Sequence, residues 1–157
     1  MIIDGLQCGH FDRTAFESLK VGGVGGVVNT CGFWEGAVDS MDSIGRWRDL
    51  VRENSDLAEI ALTAADIERI SDAGKLAIIM GFQNANLFEG RIRFVEMFAE
   101  LGVRVVQLTY NNQNELGGSC YEADDPGLAR FGKEVVREMN AAGILVDCSH
   151  VGELLLG

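Results

Sequence analysis

The chain of 157 residues holds two histidines, the residue type best suited to proton transfer or metal binding near neutral pH. His150 follows the apolar segment of residues 144–149, whose composition is typical of a buried strand. Strand alternation places its imidazole on the face of Val146 and Cys148, opposite Asp147. An imidazole at a strand end is a candidate metal ligand or acid/base group, and the alternative is a structural histidine.

The second histidine belongs to the sequence His-Phe-Asp, which comes just after the first predicted strand. His10 and Asp12 have the spacing of a pair of zinc ligands. In the alternative interpretation this is an ordinary loop, and Asp12 caps a helix that starts at Arg13. The spacing leaves both interpretations open.

Short apolar runs alternate along the chain with stretches of helical periodicity, which is typical of βαβ units. Glycine ends three of the helices, at Gly74, Gly102 and Gly143, and a strand follows each at once. The predicted strands are 1–6, 25–30, 76–82, 103–109 and 144–149, and the predicted helices are 12–20, 40–53, 64–72, 91–101 and 127–142. The sequence therefore predicts an α/β fold, a partial parallel (β/α) barrel of the TIM type with about five of its eight strands.

Residues 21–26 read Val-Gly-Gly-Val-Gly-Gly, which resembles a phosphate-binding loop. A dinucleotide fingerprint must follow a strand and open a helix, whereas this run ends a helix and precedes a strand. We favour glycines that let a helix and a strand pack closely.

In a β/α barrel the catalytic groups lie at the carboxyl ends of the strands. Most polar residues at the predicted strand ends are neutral and suited to hydrogen bonding a polar substrate. Three of the strand-end residues, Asp4, Asp147 and His150, are candidate acid/base groups. The neutral ones are Gln7, Cys8, Asn29, Cys31, Gln83, Asn84, Tyr110, Asn111, Asn112 and Ser149.

The net charge of −11 disfavours nucleic acid and anionic membrane surfaces as partners. No segment approaches a signal peptide or a membrane span, so we expect a cytoplasmic protein. The four cysteines show no Cys-x-x-Cys spacing and are expected to be reduced thiols.

Residues 101–111 and 127–151 closely resemble the fourth- and fifth-strand regions of the membrane (renal) dipeptidases, and Ile-Ile-Asp-Gly at residues 2–5 is similar to their first strand. The resemblance covers nearly the whole chain, residues 1–157, as the first part of one barrel domain. It implies a zinc peptidase of the amidohydrolase type that hydrolyses dipeptides, some with a D-residue, through two zinc ions bridged by a carboxylate.

Carried over by position, His150 corresponds to a metal-binding histidine of that family. Leu6 and Cys8 occupy the positions of a histidine and an aspartate ligand, and Gln83 that of the bridging glutamate. An amide cannot neutralise two cations, so the resemblance implies one zinc ion or none, with Gln83 and the Cys8 thiolate as weak ligand candidates.

The resemblance also implies the substrate-binding side chains. Tyr110 stands where the family has a histidine that helps to bind substrate, and Asn111 follows it. The expected substrate is a small dipeptide-like molecule.

Three functions remain open at this point. The first is a dipeptidase-like hydrolase, and the second is a catalytically inactive, metal-free homologue that binds a small polar molecule through Gln7, Gln83, Tyr110, Asn111 and Asn112. The third is a metal-free lyase or isomerase that works through Tyr110 or His150. A complete barrel needs about 250 residues, so we expect a truncated chain that is poorly stable or forms a homo-oligomer.

Overall fold

A computed structural model describes residues 1–156 of the chain, in which strands and helices alternate as predicted. The strands are β1 (Ile2–Gln7), β2 (Val24–Thr30), β3 (Ala58–Ile60), β4 (Leu76–Phe82), β5 (Val103–Gln107) and β6 (Leu145–Asp147). The α-helices are α1 (Arg13–Val21), α2 (Ala37–Glu53), α3 (Ala64–Asp72), α4 (Arg93–Glu100) and α5 (Arg130–Ala142), and short 3-10 helices cover Ala85–Phe88 and Glu153–Leu156.

The strands form one parallel sheet in the order β1-β2-β4-β5-β6. This is a half-barrel of five strands, which confirms the predicted fold class. The three-residue strand β3 was not predicted. Strand β3 pairs with residues 76–78 of β4, and β5 pairs with residues 80–82 of β4. Both therefore lie along the same edge of β4, β3 at its beginning and β5 at its end.

The two faces of the sheet are covered by different helices. On one face Val27 and Ile78 pack against Phe16 of α1 and Val51 of α2. On the other face Val28, Ala77 and Ile79 pack against Ile70 of α3. All seven residues of β4 are buried, as expected of a strand covered on both sides. Helix α3 therefore occupies the concave face, where it closes the amino-terminal end of the barrel interior.

Close packing explains the glycine-rich run before β2. A Cβ atom on Gly25 would lie 2.6 Å from the Ser71 hydroxyl oxygen of α3, and one on Gly26 would lie 3.4 Å from an Ile67 methyl carbon. The contact at Gly26 would be an ordinary one, so it is Gly25 that allows α3 to approach β2 closely, in agreement with the packing interpretation.

The predicted helix ends are confirmed, because Gly74, Gly102 and Gly143 have φ values of +73°, +95° and +72°. Other observed boundaries differ from the predicted ones. Helix α2 begins three residues before its predicted start, and β6 ends at Asp147 instead of Ser149. In the part of the chain that the structure describes, no helix has the length and apolarity needed to cross a membrane.

Candidate active site

The long connection between β5 and α5 supplies much of the candidate site. Asn114 fixes its first part, since its amide donates to the carbonyl oxygen of Leu108 at 2.7 Å and to Oδ1 of Asn84 at 2.9 Å. Further along, the Thr109 hydroxyl donates to the carbonyl oxygen of Gly118 at 3.0 Å. These bonds hold the connection over the carboxyl ends of the strands.

His150 is exposed at this rim and directly contacts the residues that follow β5. Its Nδ1 lies 2.8 Å from Oδ1 of Asn111, and its ring centroid lies 4.6 Å from that of Tyr110. The side-chain amide of Asn111 thus hydrogen bonds to Nδ1 of the imidazole. The structure therefore brings three sequence-predicted site residues together.

The backbone at this contact is unusual, because Asn111 and His150 both adopt left-handed conformations, with φ values of +62° and +60°. Such conformations cost about 1–3 kcal/mol each and persist only where the surroundings impose them. At His150 the carbonyl oxygen accepts from the backbone of Cys120 at 2.9 Å and from the Ser119 hydroxyl at 2.8 Å. The left-handed turn also means that simple strand alternation, which we used to assign the face of His150, does not extend to it.

The same two bonds place Cys120 beside the imidazole. Its Sγ lies 4.0 Å from Nδ1 of His150, and its side chain is exposed. The neighbouring Cys148 is exposed as well, and partial burial together with the charge of Asp147 raises the pKa of its thiol.

Aromatic residues from the connection after β2 extend the site. Phe33 and Trp34 have ring centroids 5.2 and 5.3 Å from that of Tyr110, which in turn stacks on His150. Trp34 is 54% exposed. An aromatic surface thus borders the imidazole at the rim.

Below the rim, neutral amides line the inside of the half-barrel. Gln83 is 4% exposed, and its amide donates to the Thr30 hydroxyl at 2.8 Å. Gln107 is fully buried and pairs in register with Asp147. Its amide donates to the carbonyl oxygen of Ser149, whereas its Oε1 has no partner in the structure of residues 1–156.

These strands border an interior cavity of about 660 Å³. Its wall is largely apolar and includes Leu6, Val28, Ile79 and Ile67, with Arg104 among the polar residues. Asp147 and Ser149 lie at its upper end, where the carboxylate of Asp147 accepts from the Ser149 backbone at 2.8 Å. The volume is in the range of small-molecule sites.

The remaining sequence-predicted residues lie elsewhere. Cys8 is exposed just beyond β1, and the described residues show no contact between it and His150. His10 lies in a separate shallow cavity beside Trp47, and Asp12 caps α1 by accepting from the backbone of Ala15 at 2.8 Å. The capping interpretation of Asp12 is confirmed.

A dinuclear zinc centre does not fit these donors. Within residues 1–156 no three or more His, Cys, Asp or Glu side chains lie close enough to hold one ion. The Leu6 side chain has no ligand atom, and Gln83, whose amide nitrogen donates to Thr30, offers only a neutral oxygen in place of a carboxylate. Two divalent ions about 3.5–4 Å apart would need a bridging anion, and Asp147 is the one carboxylate among the described residues that line this cavity.

Sequence reasoning missed Cys120, Phe33 and Trp34. The strand-end rule could have found the two aromatic residues, which come three and four positions after β2 ends at Thr30. Nothing in the sequence indicated Cys120, because it lies 30 residues from His150 in a connection without periodicity.

Comparison with protein families gives a match to the membrane dipeptidase family, peptidase family M19, over residues 13–156. The chain is 34% identical to dipeptidase tcpJ of Claviceps purpurea over 118 residues, which cover 73% of this chain and 28% of that protein. The chain thus spans less than a third of that relative.

Two solved structures share the fold. An amidohydrolase from Pseudomonas aeruginosa superposes with a TM-score of 0.96 at 43% identity, covering 99% of this chain and 48% of that one. A metallopeptidase from Rhodobacter sphaeroides, liganded with a phosphinate mimic of the dipeptide L-Ala-D-Ala, superposes with a TM-score of 0.80 at 18% identity, covering 94% and 52%.

Proposed function

Since the chain belongs to the membrane dipeptidase family, peptidase family M19, we propose that the full-length protein is a dipeptidase-like metallohydrolase that cleaves dipeptides or related small amides. The family is one of metallopeptidases. The dipeptidase relatives do not favour the alternative of a non-catalytic barrel that binds a small polar molecule.

The observation that carries the proposal is the junction of His150 with Tyr110 and Asn111. These residues follow two adjacent strands, β5 and β6, and meet at the carboxyl end of the sheet. In β/α barrels this end is where catalysis takes place. A rim imidazole held by its neighbours is a suitable ligand or proton carrier.

The described residues favour one metal ion over two, because neither Leu6 nor Gln83 offers an anion that could bridge two cations. His150 would hold a single zinc ion, which when bound polarises a carbonyl group and activates a water molecule. Asp147 offers a carboxylate to the ammonium group of a dipeptide at the upper end of the cavity. Tyr110 and Asn111 offer hydrogen bonds and an aromatic surface to the peptide unit.

Hydrolysis of L-Ala-D-Ala by the zinc-loaded full-length protein tests the proposal. We expect His150→Ala to lower kcat/KM by more than about 100-fold, because loss of a metal ligand costs more than loss of an outer hydrogen bond. The matched control is His10→Ala, since His10 is exposed and lies in a different cavity. Absence of turnover, or equal activity of the two variants, would contradict the proposal.

A further inference from the structure

Four rings at the carboxyl end of the sheet form a continuous surface that ends on the imidazole of His150. Tyr110 lies at its centre, with ring centroids 5.2 Å from Phe33, 5.3 Å from Trp34 and 4.6 Å from His150. The rings of Phe33 and Trp34 are themselves 5.7 Å apart. We call these four residues the aromatic rim.

The outer part of the aromatic rim is open to a ligand. Trp34 is 54% exposed, although large aromatic side chains are highly buried on average. An exposed indole is stabilised when another apolar ring covers it. We propose that the aromatic rim binds one side chain of a dipeptide substrate, and that Trp34 makes the protein selective for an aromatic residue there. The inference rests on the proposed function in taking His150 as part of the dipeptide site.

Two hydrogen bonds hold the connection after β2, which carries Phe33 and Trp34. The Asn86 amide donates to the carbonyl oxygen of Trp34 at 3.4 Å. The backbone of Ala37, where α2 begins, donates to the carboxylate of Glu89 at 2.7 Å. A ring held before the ligand arrives loses little conformational freedom on binding, so its contact contributes more to affinity.

The order of the strands assigns the carboxyl-terminal residue of the dipeptide to the aromatic rim. The proposed ammonium site, Asp147, ends β6, whereas Trp34 follows β2. Three strand spacings separate β6 from β2, which is about 14 Å in a flat sheet and less in a curved one. One residue extends a chain by about 3.5 Å. The amino-terminal residue therefore stays near Asp147, and a long side chain on the second residue reaches the indole.

The ring geometry favours an aromatic side chain over a cationic one. The ring planes meet at 59° between Phe33 and Tyr110 and at 67° between Trp34 and Tyr110. Aromatic pairs prefer such tilted and edge-to-face arrangements, and a ring from the substrate would extend the same packing. Aromatic faces also attract cations, so a lysine side chain is the rival ligand.

Paired substrates test the selectivity of the full-length protein. We expect kcat/KM for L-Ala-D-Phe to exceed that for L-Ala-D-Ala by about tenfold, because a benzyl group buries more apolar area than a methyl group. Trp34→Ala should remove most of this ratio, and Trp34→Phe, which keeps a ring, should largely restore it. The matched control is Tyr121→Ala. Tyr121 is 77% exposed in the connection between β5 and α5, and the described residues show no ring contact between it and the aromatic rim.

A ratio of two substrates on one protein does not depend on how much of a variant is folded. The proposal is overturned if the ratio is unchanged in Trp34→Ala or falls equally in Tyr121→Ala. A preference for L-Phe-D-Ala over L-Ala-D-Phe would overturn the assigned position. A preference for L-Ala-D-Lys over L-Ala-D-Phe would overturn the aromatic selectivity.

Tryptophan fluorescence tests the contact without turnover. The chain has two tryptophans, and the second, Trp47, packs against Phe11 with ring centroids 4.9 Å apart. In Trp47→Phe with metal removed by EDTA, millimolar L-Ala-D-Phe should shift the emission of Trp34 to shorter wavelength, because the indole leaves water. L-Ala-D-Ala should produce no shift, and the emission of Trp47 in Trp34→Phe should respond to neither dipeptide.

Absence of the Trp34 shift with L-Ala-D-Phe would overturn the contact, and so would an equal shift with L-Ala-D-Ala. The shift requires neither metal nor hydrolysis. A selective shift in a protein without dipeptidase activity would therefore support the aromatic rim while contradicting the proposed function.

Discussion

At the scale of single residues, the burial of the Cys31 thiol makes the stability of the fold depend on pH. Cys31 is 7% exposed just after β2, and burial raises the pKa of its thiol from 9.0 to about 12. In the unfolded chain the thiol ionises above pH 9, whereas in the folded chain it stays neutral. Its contribution to stability is therefore complete below pH 9 and is lost as the pH rises towards 12.

We expect the free energy of unfolding to fall by about 1 kcal/mol between pH 8 and pH 10 through this residue alone. Urea denaturation gives the free energy of unfolding of the unmodified chain and of Cys31→Ala at both pH values. The contribution of Cys31 is the difference between the two proteins in how much that free energy changes with pH. The exposed Cys8→Ser serves as the control and should leave the slope unchanged. Parallel pH profiles for the unmodified chain and Cys31→Ala would refute the burial argument.

The sequence predicted which residues meet at the site when their positions at the ends of strands determined it. Tyr110, Asn111 and His150 follow adjacent parallel strands, so their proximity followed from the pattern of strands. The nitrogen of His150 that faces Cys120 could not be predicted, because it depends on a left-handed backbone at a residue that is not glycine. Local patterns do not encode such a conformation.

At the scale of elements, two glycines inside helices allow the effect of packing to be separated from helix propensity. A Cβ on Gly132 of α5 would lie 2.2 Å from the carbonyl oxygen of Leu116, which cannot move without disturbing the β5–α5 connection. A Cβ on Gly45 of α2 would meet nothing within 4 Å. Alanine favours a helix over glycine by about 1 kcal/mol in both cases, so packing determines the difference.

We expect Gly45→Ala to stabilise the chain by about 0.5–1 kcal/mol and Gly132→Ala to destabilise it by about 1–3 kcal/mol. Urea denaturation measures both changes. Stabilisation by Gly132→Ala would show that α5 does not pack against the connection as described.

The elements themselves were largely predictable, and the exceptions have physical causes. Strand β3 contains three residues, Ala-Glu-Ile, too few to show a period of two. Helix α3 was predicted with its observed bounds, but periodicity shows only that one face is apolar. The side of the sheet that this face covers depends on packing, as at Gly25, where a Cβ would lie 2.6 Å from the Ser71 hydroxyl oxygen of α3.

At the scale of the whole molecule, the half-barrel leaves two outer strands with one partner each. Within residues 1–156, β1 pairs with β2 and β6 pairs with β5. Both outer strands carry exposed apolar side chains, with Ile3 48% and Leu145 63% exposed. An unpaired apolar edge is a template for pairing with another chain. The net charge of −11 opposes that pairing through repulsion between chains.

We therefore expect the 157-residue chain to self-associate. The association should become stronger as salt is added, because salt screens the repulsion between chains, with a Debye length of about 10 Å at 0.1 M, but leaves the edge contacts intact. Sedimentation velocity over a range of protein and NaCl concentrations measures this. Ile3→Lys and Leu145→Lys should each weaken association, since a lysine on an edge strand disfavours pairing. Val21→Lys is the matched control, because Val21 is 90% exposed but lies at the end of α1 and belongs to neither edge strand. A monomer at every salt concentration would show that these edges do not pair, and equal weakening by all three lysines would assign the effect to charge alone.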